Sequence, residues 1–336
     1  MATYKGINGF AVQSVASDPS PLDEGQVWYN NATYAFKLAA VTTAGTWASG
    51  GNMATARYHL AGAGSQTETL AFGGFTGTAN TNVTEEYNGS SWTSGGNMGN
   101  STRDLAGTGT QTAALAMGGA NPGGTQITTV EAYNGTSWTA ATSLNTAQKK
   151  NAGAGLQTSA LSFGSFNYAS SPRQSGITQS YNGTSWTTVN SLNTARGYLA
   201  GFGTQTSAIG AGGYTSPPAT AVNNSESWNG TSWTATPTLN TSRYNLGASG
   251  ASNTSGLVFG GDPSPSPTVL VATESWNGSS WTSTTSLPTG KFQGAGAGTF
   301  SAGIEFGGRT SPGAASALTQ EWTGPGAPVT KTITTS

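Results

Sequence analysis

The sequence has no cysteine and a single histidine, His59. A chain without thiols can form neither disulfides nor thiolate metal sites, and its cysteine usage indicates no redox compartment. A copper site needs several imidazole ligands, which one histidine cannot supply. We therefore expect no metal and no cofactor, and we interpret His59 as an ordinary strand residue.

Charge is also scarce. Only 7% of the residues are charged, and 12 lysines and arginines against 13 acidic residues give a net charge of −1. This balance offers no electrostatic footprint for nucleic acid or for an anionic membrane surface. No apolar run reaches the length of a membrane span, and the first residues lack the apolar segment of a signal peptide. We expect synthesis in the cytoplasm, no nucleic-acid partner and no membrane insertion.

Glycine (50 residues) and aromatic residues (10%) are the abundant types. Much glycine with little charge is typical of disordered chains, whereas regularly spaced aromatic residues indicate an ordered β protein that is rich in turns. Because the aromatic residues of this chain recur at a regular spacing, we expect an ordered protein.

One short sequence recurs along the chain: an aromatic residue, Asn-Gly, two small polar residues and a tryptophan, first at residues 87–92. Asn-Gly predicts a type I′ turn, whose twist matches that of the strands it joins. Together with a related residue at position 47, the tryptophans are separated by 45, 46, 48, 47 and 48 residues. The series is Trp47, Trp92, Trp138, Trp186, Trp233 and Trp281. A hairpin at near-constant spacing is the signature of a repeat architecture.

Each repeat carries further landmarks. A short apolar run ends in paired glycines, except in the third repeat, where Ser165 replaces the second glycine and we expect looser geometry. A basic residue follows each tryptophan by ten or eleven positions: Arg57, Arg103, Lys149, Arg196, Arg243 and Lys291. A glutamate or glutamine lies two positions before each aromatic residue: Glu85, Glu131, Gln179, Glu226, Glu274 and Gln320. Because a charge that recurs in every repeat must be satisfied locally, we expect the basic residues to pair with these glutamates or with backbone carbonyls.

Four short strands per repeat, at this period, describe one blade of a β-propeller. The double glycine, the spaced aromatic residue and tryptophan, and the arginine that precedes the next strand resemble the kelch repeat over residues 41–326. The resemblance implies an all-β fold, a kelch-type β-propeller of four-stranded blades.

The number of landmarks predicts how the ring closes. There are six tryptophan strands, but the pattern fails after Trp322, and Trp47 has no complete repeat before it. We predict six blades, with the Trp47 strand completing the last blade so that no edge stays free. A seventh, degenerate blade from residues 4–47 is the alternative. Residues 1–40 then form an N-terminal extension and residues 327–336 a C-terminal tail.

The loops that follow the double glycines differ from repeat to repeat, and a repeat protein carries its specificity where its loops diverge on one face. Aromatic and arginine side chains in these loops suit stacking on sugar rings or anchoring a protein partner. The alternative is that the loops are solvent-facing linkers. The candidate binding residues are Phe75, Phe166, Tyr168, Arg173, Tyr214, Asp262 and Arg309.

Catalytic groups are harder to find. A sialidase-like site needs clustered arginines, and only Arg173 and Arg309 stand outside the repeat positions. Glycoside cleavage needs a pair of carboxylates, whereas Asp104, Asp262 and Glu305 are isolated in the sequence. We therefore expect a protein that is not an enzyme.

Residues 17–24 form a Pro-rich, acidic connector, and residues 25–37 predict a strand, an Asn-Asn turn and a second strand. This opening is similar to segments at the start of phage virion proteins, where a small domain precedes an exposed module. The resemblance implies that residues 1–40 attach the protein to other virion proteins; the alternative is that their strands cover a blade edge. We expect a virion structural or adhesion protein, such as a tail-fibre or decoration protein, present as a homo-oligomer or in many copies on the virion surface. A lectin-like module for a host-surface glycan or receptor is the alternative, and a glycan-degrading enzyme is the third.

Overall fold

The structure is a computed structural model that describes residues 12–20, 26–41, 44–169, 171–264, 268–310, 313–326 and 328–333. The described residues form eight sheets, mostly four-stranded and antiparallel, and no helix. The chain divides into two compact units, Met1–Thr46 with Thr323–Ser336 and Trp47–Trp322. Strands are numbered β1 to β30 in chain order.

The first unit is a four-stranded sheet built from both ends of the chain. Its strands are β1 (Gln13–Val15), β2 (Val27–Asn30), β3 (Ala35–Val41) and β30 (Pro328–Thr332), in that order across the sheet. Trp28 is fully buried, and its indole Nε1 donates to Asp18 Oδ1 at 3.1 Å. The segment predicted to be a tail therefore contributes a strand, while residues 1–11, 21–25 and 334–336 lie outside the described part of the chain.

The second unit contains six four-stranded sheets, numbered 1 to 6, and one small hairpin. Sheet 1 comprises β5 (Ala61–Gly64), β6 (Thr69–Phe72), β7 (Thr84–Tyr87) and β8 (Trp92–Ser94). Sheet 2 comprises β9 (Ala106–Thr110), β10 (Ala113–Met117), β11 (Val130–Tyr133) and β12 (Trp138–Ala141). Sheet 3 comprises β13 (Ala152–Leu156), β14 (Ser159–Phe166), β15 (Gln174–Tyr181) and β16 (Trp186–Val189).

The remaining sheets follow the same order. Sheet 4 comprises β17 (Ala200–Thr204), β18 (Ser207–Ala211), β21 (Ser225–Trp228) and β22 (Trp233–Thr236), with the hairpin β19 (Tyr214–Thr215) and β20 (Thr220–Ala221) inserted. Sheet 5 comprises β23 (Gly247–Ser252), β24 (Ser255–Phe259), β25 (Thr273–Trp276) and β26 (Trp281–Thr284). Sheet 6 comprises β27 (Phe292–Gly298), β28 (Ala302–Arg309), β29 (Thr319–Thr323) and β4 (Thr46–Ser49).

The strand that carries Trp47 joins the last sheet, as the number of landmarks predicted. It forms the fourth strand of sheet 6 beside β29, and the rings of Trp47 and Trp322 are 5.4 Å apart between centroids. Strands β2 and β3, which the alternative of a seventh blade would include, belong to the first unit, where β2 pairs with β3 and β3 pairs with β30.

The six first strands contact one another in cyclic order: β5 contacts β9, and so on to β27, which contacts β5. Glycines allow this close approach, because a Cβ on Gly107 would lie 2.6 Å from the carbonyl oxygen of Gly62. A side chain at such a position would force the two strands apart.

Tryptophans fasten each sheet to the one before it. Trp138 of sheet 2 packs on Phe72 of sheet 1 with centroids 4.8 Å apart, and its Nε1 donates to Thr84 Oγ1 at 2.9 Å. Sheet 1 meets sheet 6 in the same way, since Trp92 packs on Phe306 at 5.1 Å and donates to a threonine hydroxyl of β29. Large aromatic rings that bury apolar area and satisfy their N–H are efficient contacts of this kind.

The Asn-Gly hairpin turns differ from the predicted type I′ turn. Tyr87 pairs with Trp92, which leaves a loop of four residues, and within it only Gly89 has a positive φ, 88°. The side-chain Oδ1 of Asn88 accepts from the backbone N–H groups of Ser90 and Ser91 at 3.0 and 2.9 Å. Asparagine therefore acts through its side chain, as in an Asx turn, and not through a left-handed backbone.

The charged repeat positions pair within their sheet, as predicted, in three sheets. Arg57 Nη1 donates to Glu85 Oε1 at 2.5 Å, and Arg57 Nη2 donates to the carbonyl of Ala71 at 3.2 Å. Both charged side chains are buried. The same pair recurs as Arg196–Glu226 and Arg243–Glu274.

Arg103 and Lys149 do not occupy this position, which corrects their assignment as repeat residues. They follow their tryptophans by eleven residues instead of ten, and the strand registers place the buried Thr102 and Gln148 where Arg57 lies in sheet 1. In sheet 3, Gln179 Nε2 donates to Gln148 Oε1 at 2.7 Å, so an uncharged pair replaces the ion pair.

In sheet 6 the carboxylate changes strand. The repeat position holds Gln320, and Lys291 Nζ instead pairs at 2.5 Å with Glu305 Oε2 of β28. Gln320 Nε2 donates to the same oxygen at 3.1 Å. A buried cation thus keeps a carboxylate partner even where the repeat glutamate is lost, because an unpaired buried charge is strongly destabilising.

Ser165 does not loosen sheet 3, contrary to expectation. Strand β14 continues through a bulge to Phe166, which pairs with Gln174. The Ser165 hydroxyl donates to the backbone carbonyl of Lys149 at 3.1 Å. The serine therefore ties the longer strand to the neighbouring segment through a side-chain hydrogen bond that a glycine cannot make.

Candidate functional site

The repeat pattern predicts that the divergent loops share one face of the second unit. In four sheets, the segment that leads into the first strand pairs with the segment after the double glycine: Tyr58 with Phe75, Arg103 with Ala120, Gly197 with Tyr214, and Tyr244 with Asp262. We call the surface that these segments form the loop face.

The loop face brings together several of the predicted binding residues in an aromatic cluster, which comprises Phe166, Tyr168, Tyr198, Tyr214 and Tyr244. Phe166 is fully buried at its centre, with centroids 4.9 Å from Tyr168 and 5.5 Å from both Tyr198 and Tyr214. Tyr168 is 58% exposed. Phe166 therefore supports the other rings from below, and Tyr168 offers the accessible surface.

The other predicted residues lie around this face. Arg309 lies over Tyr58 at 4.8 Å and donates to the carbonyl of Gly313 at 2.6 Å. Arg173 is exposed, and its Nη1 donates to the Ser216 hydroxyl at 3.3 Å. Phe75 is half-buried beneath the guanidinium of Arg103 at 4.8 Å, and Asp262 is buried, accepting from the Ser264 amide at 3.0 Å.

At the centre of the loop face lies a set of residues whose shared position the sequence analysis missed; His59, interpreted as an ordinary strand residue, lies instead in a bend before β5. Each stands two positions before the first inward-packed residue of its sheet (Ala61 in sheet 1), so all six occupy one repeat position. We call them the axial ring: His59, Asp104, Lys150, Tyr198, Asn245 and Gln293. The sequence did contain a signal for this set, because the residue type at this repeat position differs in every repeat while the positions around it recur.

The backbone of the axial ring closes on itself. Each residue donates its N–H to the carbonyl of the ring residue before it, from Asp104 to His59 at 2.9 Å and onward around the set. The cycle closes where His59 N donates to Gln293 O at 2.8 Å. Six residues from six sheets are therefore joined by one uninterrupted circle of hydrogen bonds.

Every axial residue has a left-handed backbone, with φ between 55° and 61°. This conformation costs an ordinary L-residue about 1–2 kcal/mol. Asn245 and Asp104 are of types that tolerate it, but Lys150, Tyr198 and Gln293 are not. Glycine occupies none of the six positions, although it would avoid the cost. Strain of this kind clusters at functional sites, where the side chain is needed.

Charge is concentrated in half of the axial ring. His59 Nδ1 lies 2.8 Å from Asp104 Oδ1. Burial alone would raise the pKa of Asp104, but the charges of His59, Lys150 and Arg103, with the His59 hydrogen bond, lower it to about 2. The ring therefore holds a carboxylate that stays ionised.

Lys150 is the ring's cation. Its Nζ donates to the Tyr198 hydroxyl and lies 4.1 Å from the centroid of that ring and 5.0 Å from that of Tyr168. Burial, assisted by the charges of Lys149 and Arg103 and opposed by Asp104, lowers the pKa of Lys150 to about 8. The aromatic cluster and the axial ring thus meet at this ammonium group.

The axial side chains line a cavity of ≈ 130 Å³. A second cavity of ≈ 230 Å³ adjoins it, since both are lined by His59, Asp104 and Lys150. Arg103 and Arg309 stand at the second cavity's wall. Among the described residues of the loop face, cations outnumber carboxylates, so the combined cavity suits an anionic ligand.

Within the described residues, no group of three or more histidine, aspartate or glutamate side chains is placed to hold a metal ion. The same residues include no helix of the length and apolarity that crossing a membrane requires.

The sequence matches no protein-family model and no curated protein.

Proposed function

We propose that the second unit is a six-bladed, kelch-type β-propeller, and that the protein is a non-enzymatic adhesion module of a virion-like particle. Two features support the propeller. The contacts between sheets 6 and 1 repeat those between sheets 1 and 2, and the axial ring closes a six-membered hydrogen-bond cycle.

One observation carries the binding role: the side chains that differ between repeats converge on the loop face, while the framework beneath them recurs. Tyr168 is exposed beside Arg173, whose guanidinium carbon lies 5.9 Å from its ring centroid. Exposed aromatic rings beside cations suit the faces of sugar rings and the anionic groups that sugars carry. The ligand we propose is therefore a host-surface glycan, bound in the manner of a lectin.

The first unit is the proposed attachment surface, through which the protein meets other virion proteins. Of the eight exposed large hydrophobic side chains among the described residues, five belong to this unit. They are Val12, Val27, Tyr34, Phe36 and Ile333. Exposed apolar side chains concentrated in a small unit mark an interaction surface.

A glycan array probed with the full chain tests the binding role. We expect selective binding to a small set of glycans, lost in Tyr168→Ala and Arg173→Gln but retained in Leu156→Ala, a control at an exposed leucine of β13. Absence of any selective binding by the wild-type protein would refute the lectin-like role.

A further inference from the structure

Resting on the proposed glycan-binding function, we infer that the axial ring is the binding site for one acidic sugar residue, whose carboxylate lies beside Lys150 and whose hydroxyls contact Gln293 and Asn245. The inference concerns the centre of the loop face and not the exposed cluster at Tyr168 and Arg173.

The charges at the axial ring favour an anionic ligand group. The Asp104 carboxylate already has the His59 imidazole at 2.8 Å. Lys150 donates to the neutral Tyr198 hydroxyl and lies against aromatic rings, so its positive charge has no carboxylate in direct contact among the described residues. A partly buried ammonium group in this position attracts an anion. Because one carboxylate of the protein is already present, a singly charged ligand group fits better than a dianion.

The axial ring also contains an unsatisfied hydrogen-bond acceptor. Gln293 Oε1 is buried and has no hydrogen-bond partner among the described residues. A buried polar atom without a partner costs free energy unless a ligand or water satisfies it. Gln293 lines the same cavity as Lys150 and Asn245. An acceptor that needs a donor, next to an amide that can both donate and accept, matches the hydroxyl groups of a sugar.

The volume of the cavity at the axial ring suits a small ligand group. The cavity at the axial ring is ≈ 130 Å³, and the adjoining one is ≈ 230 Å³. Pockets for drug-sized ligands span about 300–1,000 Å³. The axial cavity alone therefore accommodates a single sugar residue, and the adjoining cavity provides a path for the rest of a glycan.

The left-handed backbone of the axial ring costs conformational free energy. Lys150, Tyr198 and Gln293 all hold left-handed backbones in which glycine would be more stable. A ring with a purely structural role needs only the backbone N–H and carbonyl groups that form the cycle. The presence of strained, chemically distinct side chains indicates that the side chains themselves are used.

Calorimetric titration of the full chain with two methyl glycosides, a glucuronide and the matching uncharged glucoside, tests the inference; galacturonide and galactoside form a second pair. We expect each acid to bind at least about tenfold more tightly than its neutral partner. Lys150→Gln should abolish this preference, and Lys150→Arg should retain most of it. Gln293→Leu should weaken the acid and the neutral sugar alike, because it removes a hydroxyl contact.

Lys149→Gln is the matched control. This substitution removes the same charge from the adjacent residue, whose Nζ donates to the Gly124 carbonyl at 2.7 Å, and it should preserve the preference for the acid. Thermal melts of every variant show whether the fold is intact, and Lys150→Asn provides a second variant of a residue type that tolerates a left-handed backbone.

The outcomes separate this inference from the proposed function. If acidic glycans bind on the array but Lys150→Gln leaves their affinity unchanged, the axial site is wrong and the lectin-like role stands. Failure of every carboxylated probe to bind, or preference for phosphorylated sugars over carboxylated ones, also overturns the inference. Absence of all glycan binding refutes the proposed function itself.

Discussion

Each residue of the axial ring has a backbone conformation that is unfavourable for an ordinary L-residue and a side chain that differs from the others. Six residues share a left-handed conformation, yet their side chains include an acid, a base, an imidazole, a phenol and two amides. The hydrogen-bond cycle fixes the backbone of all six residues, whereas the side chain at this repeat position differs from sheet to sheet. We therefore expect the function of this site to depend on these six side chains.

The lowered pKa of Asp104 predicts an acid-dependent contribution to stability. Its carboxylate has a pKa of about 2 in the folded protein, below the ordinary value of 3.8. Because the pKa is lower in the folded protein than in the unfolded chain, the ionised carboxylate stabilises the fold at pH values above the unfolded pKa. This stabilisation is lost as the pH falls from about 4 to about 2. Between pH 5 and pH 2, the free energy of unfolding of the wild type should therefore fall by about 2 kcal/mol more than that of Asp104→Asn. Urea unfolding across this range measures the difference; parallel pH curves for the two proteins would contradict it.

Individual sheets show how a repeated element tolerates changes at its buried polar positions. Sheets 1, 4 and 5 use an arginine–glutamate pair, sheet 3 uses two glutamines, and sheet 6 moves the carboxylate to the neighbouring strand. Sheet 2 keeps the carboxylate without the cation: Thr102 takes the place of the arginine, and Glu131 accepts from the backbone N–H groups of Gly99 at 2.6 Å and Asn100 at 3.1 Å. A cation at this buried position therefore has a carboxylate partner wherever it occurs, whereas a buried carboxylate can be satisfied by backbone N–H groups alone.

Sheet 6 provides a test of this rule. Glu305→Gln leaves Lys291 buried beside two neutral amides, and we expect a loss of about 3–5 kcal/mol in the free energy of unfolding. Adding Gln320→Glu returns the carboxylate to the repeat position and should recover most of that loss. Urea denaturation of the two variants measures both values. A single variant within 1 kcal/mol of wild type, or a double variant no better than the single one, would count against the rule.

One interface between sheets lacks a bond that others possess. Trp281 Nε1 and Ser225 Oγ are both buried without hydrogen-bond partners among the described residues. At the equivalent interface of sheets 1 and 2, Trp138 Nε1 donates to Thr84 Oγ1 at 2.9 Å. Threonine holds its hydroxyl in fewer rotamers than serine, so Ser225→Thr should form the missing bond and stabilise the protein by about 0.5–1.5 kcal/mol.

The reverse change supplies the control. Thr84→Ser should weaken the bond to Trp138 and lower stability by a similar amount, measured by the same denaturant titration. If both substitutions shift stability in one direction, the threonine hydroxyl is not what fastens these sheets.

On the scale of the whole molecule, the two units divide the proposed tasks. The second unit presents charged and aromatic side chains on its loop face, whereas the first exposes apolar side chains. Each unit also contains strands from distant parts of the chain, β3 with β30 and β29 with β4. Neither sheet can be completed until both of its chain segments have been made.

The attachment role predicts that the first unit mediates assembly. Phe36 is 48% exposed, and Phe36→Asp places a charge among exposed apolar residues. We expect sedimentation velocity to show wild type in an assembled form and this variant as smaller species. Leu156→Asp, at a leucine of the second unit that is 53% exposed, should assemble like wild type. Equal sedimentation of wild type and Phe36→Asp would contradict the role of this surface.

The sequence alone was sufficient to predict the all-β class, the four strands of each repeat and the return of the Trp47 strand to the last sheet. The class and the strands follow from local patterns, because a Gly-rich turn and an aromatic spacing each act over a few residues. The return of the Trp47 strand follows from counting the repeats along the whole chain, since one strand is missing at the end of the array and one is left over at its start. The kelch resemblance and the virion setting remain predictions.

The tertiary structure alone decided which residues share a position around the axis. A one-residue difference in spacing removed Arg103 and Lys149 from the buried ion-pair position, and only the strand registers show what replaced them. The axial ring was hidden for the same reason: His59 and Gln293 lie at opposite ends of the repeat array, and they become neighbours only when the last sheet meets the first. Sequence spacing encodes the strands, but contact between residues that are distant in the chain arises only where sheet 6 meets sheet 1.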